Sequence, residues 1–156
     1  LEQNSVRIEN LALHQEYIDE VAEWLYREFA ANVPGRTLQT VTDKLKNRCH
    51  DNIPFSLIAI SGNRCVGICS VFENDLKTMD MGPWLAGLYV DTDFRRKGIA
   101  QLLIDGILVS CGKMGVGRVF LRTESAKEYY RKRGWAFMKD TVDEYGEETS
   151  VFYMDI

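Results

Sequence analysis

The stretch Leu88-Tyr-Val-Asp-Thr-Asp-Phe-Arg-Arg-Lys-Gly-Ile-Ala100 reads as the end of a strand, a short acidic turn and the basic opening of a helix. The first turn of a helix has N–H groups without intrahelical partners and carries a partial positive charge, so it accepts phosphate groups. Gly98 and Ala100 keep side-chain bulk away from the backbone there, and Arg95, Arg96 and Lys97 bring positive charge to the same turn. The spacing Arg95-x-x-Gly98-x-Ala100 is not the Gly-x-Gly-x-x-Gly of a dinucleotide fold. Gly112-Lys-Met-Gly-Val-Gly117 is also glycine-rich, but it follows a helix and precedes a strand. Met114 stands there where a phosphate-binding P-loop needs Ser or Thr, so this run is read as a helix-to-strand connection.

Upstream of the opening stretch, Trp84–Val90 is an apolar strand that follows a loop holding Asp75, Asp80 and Pro83. Residues 55–60 and Arg64–Phe72 flank Ser61-Gly-Asn63 as an antiparallel hairpin. Val6–Asn10 reads as a short strand. Residues 15–31 place Tyr17, Val21, Trp24, Leu25 and Phe29 on one helical face, stopped by Asn32-Val-Pro-Gly35. Leu38, Val41, Leu45 and Cys49 mark a second, shorter amphipathic helix. Downstream, residues 99–111 predict a helix with Leu102, Leu103, Ile107 and Leu108 inward, and residues 118–122 a strand. Residues 126–133 predict a helix, with Ser125 and Glu128 at capping-box spacing and Gly134 as a left-handed stop. Residues 135–139 and 150–155 are closing strands. An antiparallel opening followed by β-α-β makes a mixed α+β sheet.

At 156 residues, with 46% hydrophobic and 27% charged, the chain has the length and core material of a single domain spanning 1–156, which excludes a disordered or collagen-like class. A net charge of −4 argues against a nucleic-acid partner, and no apolar run approaches the roughly 20 residues of a membrane span. The charge is unevenly placed: residues 1–90 carry −4, residues 91–140 carry +5 and residues 141–156 carry −5. Cys65 and Cys69 lie along one strand, about 13 Å apart, too far for a disulfide or a shared metal. With only His14 and His50 as histidines, no metal site is expected. Scattered thiols and no secretory leader predict a cytoplasmic protein.

The segment Val90…Arg95-x-x-Gly98-x-Ala100, followed by a helix, a strand and Ala126-x-x-x-Tyr130-x-x-x-Gly134-Trp135, resembles the GNAT superfamily of acetyl-CoA-dependent N-acetyltransferases. The first motif is similar to the family's Arg/Gln-x-x-Gly-x-Gly/Ala acetyl-CoA loop, and the second to its Ala…Tyr…Gly-Phe helix, with Trp135 for Phe. The two occur in the right order, about 30 residues apart, which is more specific than either alone. The resemblance covers residues 55–156 by motif, and the two N-terminal helices by architecture only.

The resemblance implies a mostly antiparallel, twisted sheet of about six to seven strands with a splayed pair, flanked by about four helices. It also implies acetyl-CoA as co-substrate, without metal, and an amine acceptor on a small molecule or a peptide. Neither nucleic acid nor membrane is implied as a partner, and a homodimer is left open. Backbone groups of Leu88, Tyr89 and Val90 would pair with the pantetheine arm. The loop Arg95, Arg96, Lys97, Gly98, Ile99, Ala100 and Gln101 would hold the pyrophosphate, and Tyr130 would protonate the departing thiolate.

An alkyl amine has a pKa near 10.4, so at neutral pH a group must take its proton before it attacks. Trp84–Val90 contains no acid, which leaves Glu73 and Glu124 at strand ends as candidates. Asp75 and Asp80 could line an acceptor entrance. The acidic run Asp143, Glu144, Glu147 and Glu148 suggests steering of a cationic amine. The alternative function is a CoA-binding sensor of the same fold without turnover, although a pure binding module has no need of the Tyr130 proton donor. The antiparallel hairpin and the missing glycine fingerprint oppose a doubly wound nucleotide-binding domain.

Overall fold

The structure, a computed structural model, describes residues 5–156. The element order is β1 (Val6–Asn10), α1 (Ile18–Leu25), α2 (Leu38–Lys46), β2 (Phe55–Ser61), β3 (Arg64–Phe72), β4 (Trp84–Val90), α3 (Ile99–Lys113), β5 (Arg118–Thr123), α4 (Lys127–Lys132), β6 (Ala136–Val142) and β7 (Glu148–Asp155). The strands form one sheet in the order β1-β2-β3-β4-β5-β7-β6. Every neighbouring pair is antiparallel except β4 and β5, which run parallel and share one register pair, Trp84 with Phe120. Beyond that pair the two strands diverge toward their C-terminal ends. This is the α+β sheet with a splayed pair that the sequence predicts.

The sheet has two covered faces. On one, α3 packs over Leu57, Val66, Cys69, Val71, Leu121 and Phe152. Two glycines set how closely it lies. A Cβ on Gly67 would meet the Tyr89 carbonyl oxygen at 3.1 Å and a Leu103 methyl at 3.2 Å, and one on Gly106 would meet a Leu57 methyl at 3.0 Å. On the other face, α1 and α2 cover Ile58, Ile60, Cys65 and Ile68. The β4–β5–β7 part of that face is covered by the β3–β4 loop instead, which buries Leu76 against Trp84, Phe120 and Val151. A bulge in β3 puts Cys65 and Cys69 on opposite faces, and all four cysteines are free. No helix among the described residues is long and apolar enough to cross a membrane.

Several local expectations are corrected. Residues 15–31 are not one helix. A 3₁₀ turn precedes α1, and Tyr26–Ala30 winds as a π-turn closed by Ala31 N–H to the Tyr26 carbonyl at 2.7 Å. The extra residue in that turn rotates the inward position by one, so Ala30 is buried and Phe29 is 48% exposed. The second helix ends at Lys46, leaving Cys49 outside it, and Leu38 is exposed. In α3 the buried stripe is Ile99, Leu103, Ile107 and Cys111, joined by Ile104, whereas Leu102 is 44% exposed. A four-residue step from Ile99 keeps the stripe on the sheet and turns Leu102 away.

The capping box at Ser125 and Glu128 does not form. The Thr123 hydroxyl accepts from Ala126 N–H at 3.0 Å, and Glu128 pairs with Arg131 instead. Gly134, at φ 91°, does stop α4, and Trp135 N–H reaches back to the Tyr130 carbonyl at 3.1 Å.

The close seat of α3 gives a stability test. Gly67→Ala is expected to cost about 1–3 kcal/mol in denaturant unfolding because the colliding atom is backbone. Gly117→Ala, with nothing within 4 Å of the added carbon, is expected to change stability by less than about 0.5 kcal/mol.

Candidate active site

The divergence of β4 from β5 is built from one residue. Gly87 sits at φ 65° in a bulge between the Ser70–Ala86 and Ile68–Tyr89 pairs of the β3–β4 ladder, with open space where a Cβ would stand. Among the described residues β4 has no β5 partner after Trp84, so its outer edge over Ala86–Val90 carries backbone donors and acceptors free of a neighbouring strand. Leu88 is half-buried against the α3 side. Tyr89 faces the other way, with its ring 5.5 Å from that of Trp24. Gly87 is the one feature here with an unread sequence signal, since glycine inside a strand often marks a bulge.

The loop after β4 is braced from beneath. Asp91 accepts from Asp93 N–H at 3.1 Å and pairs with Arg64 at 3.0 Å, and Arg95 Nε–H donates to the Val90 carbonyl at 2.9 Å. The Arg95 guanidinium thus turns back toward the strand, 5.4 Å from the Tyr89 ring. Arg96, at φ 63°, and Gly98, at φ 78°, adopt left-handed conformations, and Gly98 caps α3. Left-handed residues at a helix start can turn successive N–H groups to one side and form a concavity suited to an anion. Arg96, Lys97 and Gly98 are exposed, and the Gly98 position has open space around it. Ile99 is buried in the α3 core, Ala100 is half-buried, and Gln101 donates to Asp105 at 2.7 Å while its side-chain oxygen is buried without a partner.

On the α3 side of the sheet, α4 carries Tyr130. Its ring packs edge-to-face on Tyr129 at 5.1 Å and Trp135 at 6.2 Å, within the α3-side core. Burial pushes the Tyr130 phenol above its ordinary range, and its hydroxyl makes no hydrogen bond among the described residues. A neutral phenol with a free hydroxyl can donate a proton. In Arg131-Lys132-Arg133, Arg131 is paired with Glu128, and Arg133 stacks 3.6 Å over Tyr129.

The opposite face holds a constellation that sequence reading missed. Arg122 Nε lies 3.3 Å from Asp75, and its Nη1 lies 3.5 Å from Asp143. Burial raises the Asp75 carboxyl above the ordinary carboxylate range, and Arg122 pulls it back. Burial works against the Arg122 charge, but Asp75, Glu124 and Asp143 outweigh it and hold the guanidinium cationic. Asp143 is held low, first by the Glu147 N–H and then by the Tyr145 N–H. Strand alternation places Arg122 on the Phe120 face, but nothing in the sequence links it to acids 47 and 21 residues away.

Glu124 is exposed at the rim of a hollow of about 370 Å³, accepting from the Thr149 hydroxyl at 2.8 Å. Glu73 is exposed at the end of β3, and nothing among the described residues joins it to Glu124. Asp80 is exposed in the β3–β4 loop. The acidic turn is only partly paired: Asp143 is joined to Arg122 and Glu144 to Lys77, while Glu147 and Glu148 have no ion pair among the described residues. A groove of about 760 Å³ lies beside α3 between Ile8, Phe55 and Val109, away from the splay.

The model of the Acetyltransferase (GNAT) family matches residues 18–135. This chain belongs to the GNAT acetyltransferase family. An aminoglycoside 6′-N-acetyltransferase solved with coenzyme A superposes with a TM-score of 0.75 at 12% identity, covering 96% of both chains. A chimeric spermidine N-acetyltransferase from Vibrio cholerae gives 0.73 at 15% identity, covering 96% of this chain and 95% of that one. A GNAT-family acetyltransferase from Streptococcus pneumoniae gives 0.72 at 15%, covering 97% and 99%. No curated protein sequence matches the chain. The GNAT acetyl donor is acetyl-CoA, and the open concavity at Arg96–Gly98 with the free β4 edge fits a ligand carrying a pyrophosphate and an amide-bearing arm.

Gly98→Ala forces a Cβ into the left-handed region, at about 1–2 kcal/mol. It is expected to lower the CoA affinity measured by titration calorimetry about tenfold. An unchanged affinity would mean that this turn is not the phosphate cradle.

Proposed function

We propose that the chain, acting as a single catalytic domain, transfers an acetyl group from acetyl-CoA to a primary amine by direct attack. The observation that carries this reading is the free β4 edge leading into the bare start of α3, with Tyr130 packed on the same α3-side core as Leu88 and Val90. Bound acetyl-CoA supplies the thioester. In this reading the N–H groups of residues 96–101 bind the pyrophosphate, and the exposed Arg96 and Lys97 add charge. Arg95 keeps the loop in shape through Val90. The backbone of Leu88, Tyr89 and Val90 aligns the pantetheine arm, and a β4 N–H faces the carbonyl oxygen as it gains charge.

The incoming ammonium gives up its proton to a carboxylate, Glu124 or Glu73, directly or through water. The freed amine attacks the carbonyl carbon. As the C–S bond breaks, Tyr130 donates its phenolic proton to the departing sulfur, and the nitrogen's surplus proton leaves through water to restore the phenol. Alignment of the reactants in the splay supplies much of the acceleration. The acceptor is a small cationic amine or an amine on a peptide or protein. The spermidine and aminoglycoside enzymes share this fold and act on such amines, as their names state.

Thiol release from acetyl-CoA across a panel of diverse amines tests the activity. Release above hydrolysis with at least one amine is expected. Tight CoA binding with no release for any amine would favour a sensor module. Tyr130→Phe is expected to lower kcat by about 10²-fold or more with CoA affinity retained. Because burial raises the Tyr130 phenol, kcat should not fall through its ionisation below about pH 10, the ordinary tyrosine value. A fully active Tyr130→Phe would remove the proton-donor role.

A further inference from the structure

Arg122 stands two residues beyond Phe120, the β5 partner of Trp84, and so about 7 Å into the splay on the face away from α3. Its side chain is only 24% exposed and ends between two loops that are far apart in sequence. One is the β3–β4 loop, anchored by buried Leu76 and carrying Asp75. The other is the β6–β7 turn, carrying Asp143. The Thr78 hydroxyl donates to the Val142 carbonyl at 2.8 Å and fastens the same two segments beside this pairing. Three carboxylates act on its guanidinium, Asp75, Asp143 and Glu124, and Asp75 also feels Arg36. Two are ion-paired to Arg122, while among the described residues the third accepts only from Thr149 at the rim of the polar hollow.

We propose that Arg122 is a positioning residue for the amine acceptor. It joins the β3–β4 loop to the β6–β7 turn across the mouth of the splay. By holding Asp75 and Asp143 in ion pairs it leaves Glu124 as the carboxylate open to the incoming ammonium. The proposal rests on the acetyl-transfer reading above and narrows its proton acceptor to Glu124. The planar fork of Arg122 spans both partners at once, which a lysine ammonium cannot do. Without it the Asp75 charge is left half-buried and unpaired, so the loop that carries it shifts toward water.

The test compares Arg122→Gln, Arg122→Lys and the wild type by steady-state kinetics, CoA titration and amide hydrogen exchange. Arg122→Gln is expected to raise the acceptor KM at least tenfold while CoA affinity stays within twofold. Exchange should quicken in both 75–79 and 143–147. Arg122→Lys should recover part of the KM effect. Should Arg122→Gln fail to fold, Asp143→Asn opens one arm of the fork and should raise the acceptor KM less, with the same exchange change confined to 143–147. An unchanged acceptor KM, or equal losses in acceptor KM and CoA affinity, overturns the proposal. So does unchanged exchange in both loops. A wild type that binds CoA but releases no thiol with any amine overturns the acetyl-transfer reading instead, and the exchange data then decide by themselves whether Arg122 joins the loops.

Discussion

The parallel contact of β4 with β5 lasts for one residue pair, Trp84 with Phe120, and the site occupies the gap that opens beyond it. Backbone N–H and C=O groups inside a sheet are ordinarily paired, and leaving a strand edge open is costly unless water or a ligand meets it. Here the bulge at Gly87 turns β4 away from β5, while the antiparallel β5–β7 ladder keeps β5 in place over its full length. The Trp84–Phe120 contact, with ring centroids 5.5 Å apart, closes the inner end of the wedge, and Leu76 and Val151 pack around it. The result is an open strand edge in the middle of the sheet, in addition to the outer edges at β1 and β6.

The two sides of that wedge carry opposite chemistry. On the α3 side lie the left-handed turn at Arg96 and Gly98, the exposed Arg96 and Lys97, and the neutral phenol of Tyr130. On the other side lie Asp75, Glu124 and Asp143 around Arg122. Of these only Asp143 comes from the acidic segment 141–156, while Arg122 and Glu124 come from the basic segment 91–140, so the fold and not the chain order separates the two chemistries. In the proposed reaction an anionic donor and a cationic acceptor approach from opposite sides and meet at the bulge, each drawn by the charge it faces.

The elements nearest the turn at Arg95–Gly98 were legible because their signals are local. A strand, a basic turn and a helix start lie within 13 consecutive residues, from Leu88 to Ala100, and the Tyr130–Gly134 helix stop depends on neighbours in sequence. The readings that failed depended on a shift of one residue or on distant partners. The π-turn at Tyr26–Ala30 moves Phe29 off the inward face, a displacement that a 3.6-residue period does not contain. Glu128 has the spacing of a cap but finds Arg131 first, and Thr123 takes the capping role. Asp143 and Glu144 of the β6–β7 turn look free in sequence because their partners, Arg122 and Lys77, come from other strands and loops. Arg122 itself, ending an apolar strand, gives no hint of the two acids it reaches.

Amide hydrogen exchange of the wild-type protein, with and without CoA, tests most directly whether the open β4 edge and the start of α3 form one donor slot. CoA is expected to slow exchange at residues 87–90 and 96–101 together. Protection absent from both segments, or confined to the groove beside α3 between Ile8, Phe55 and Val109, would contradict a shared slot.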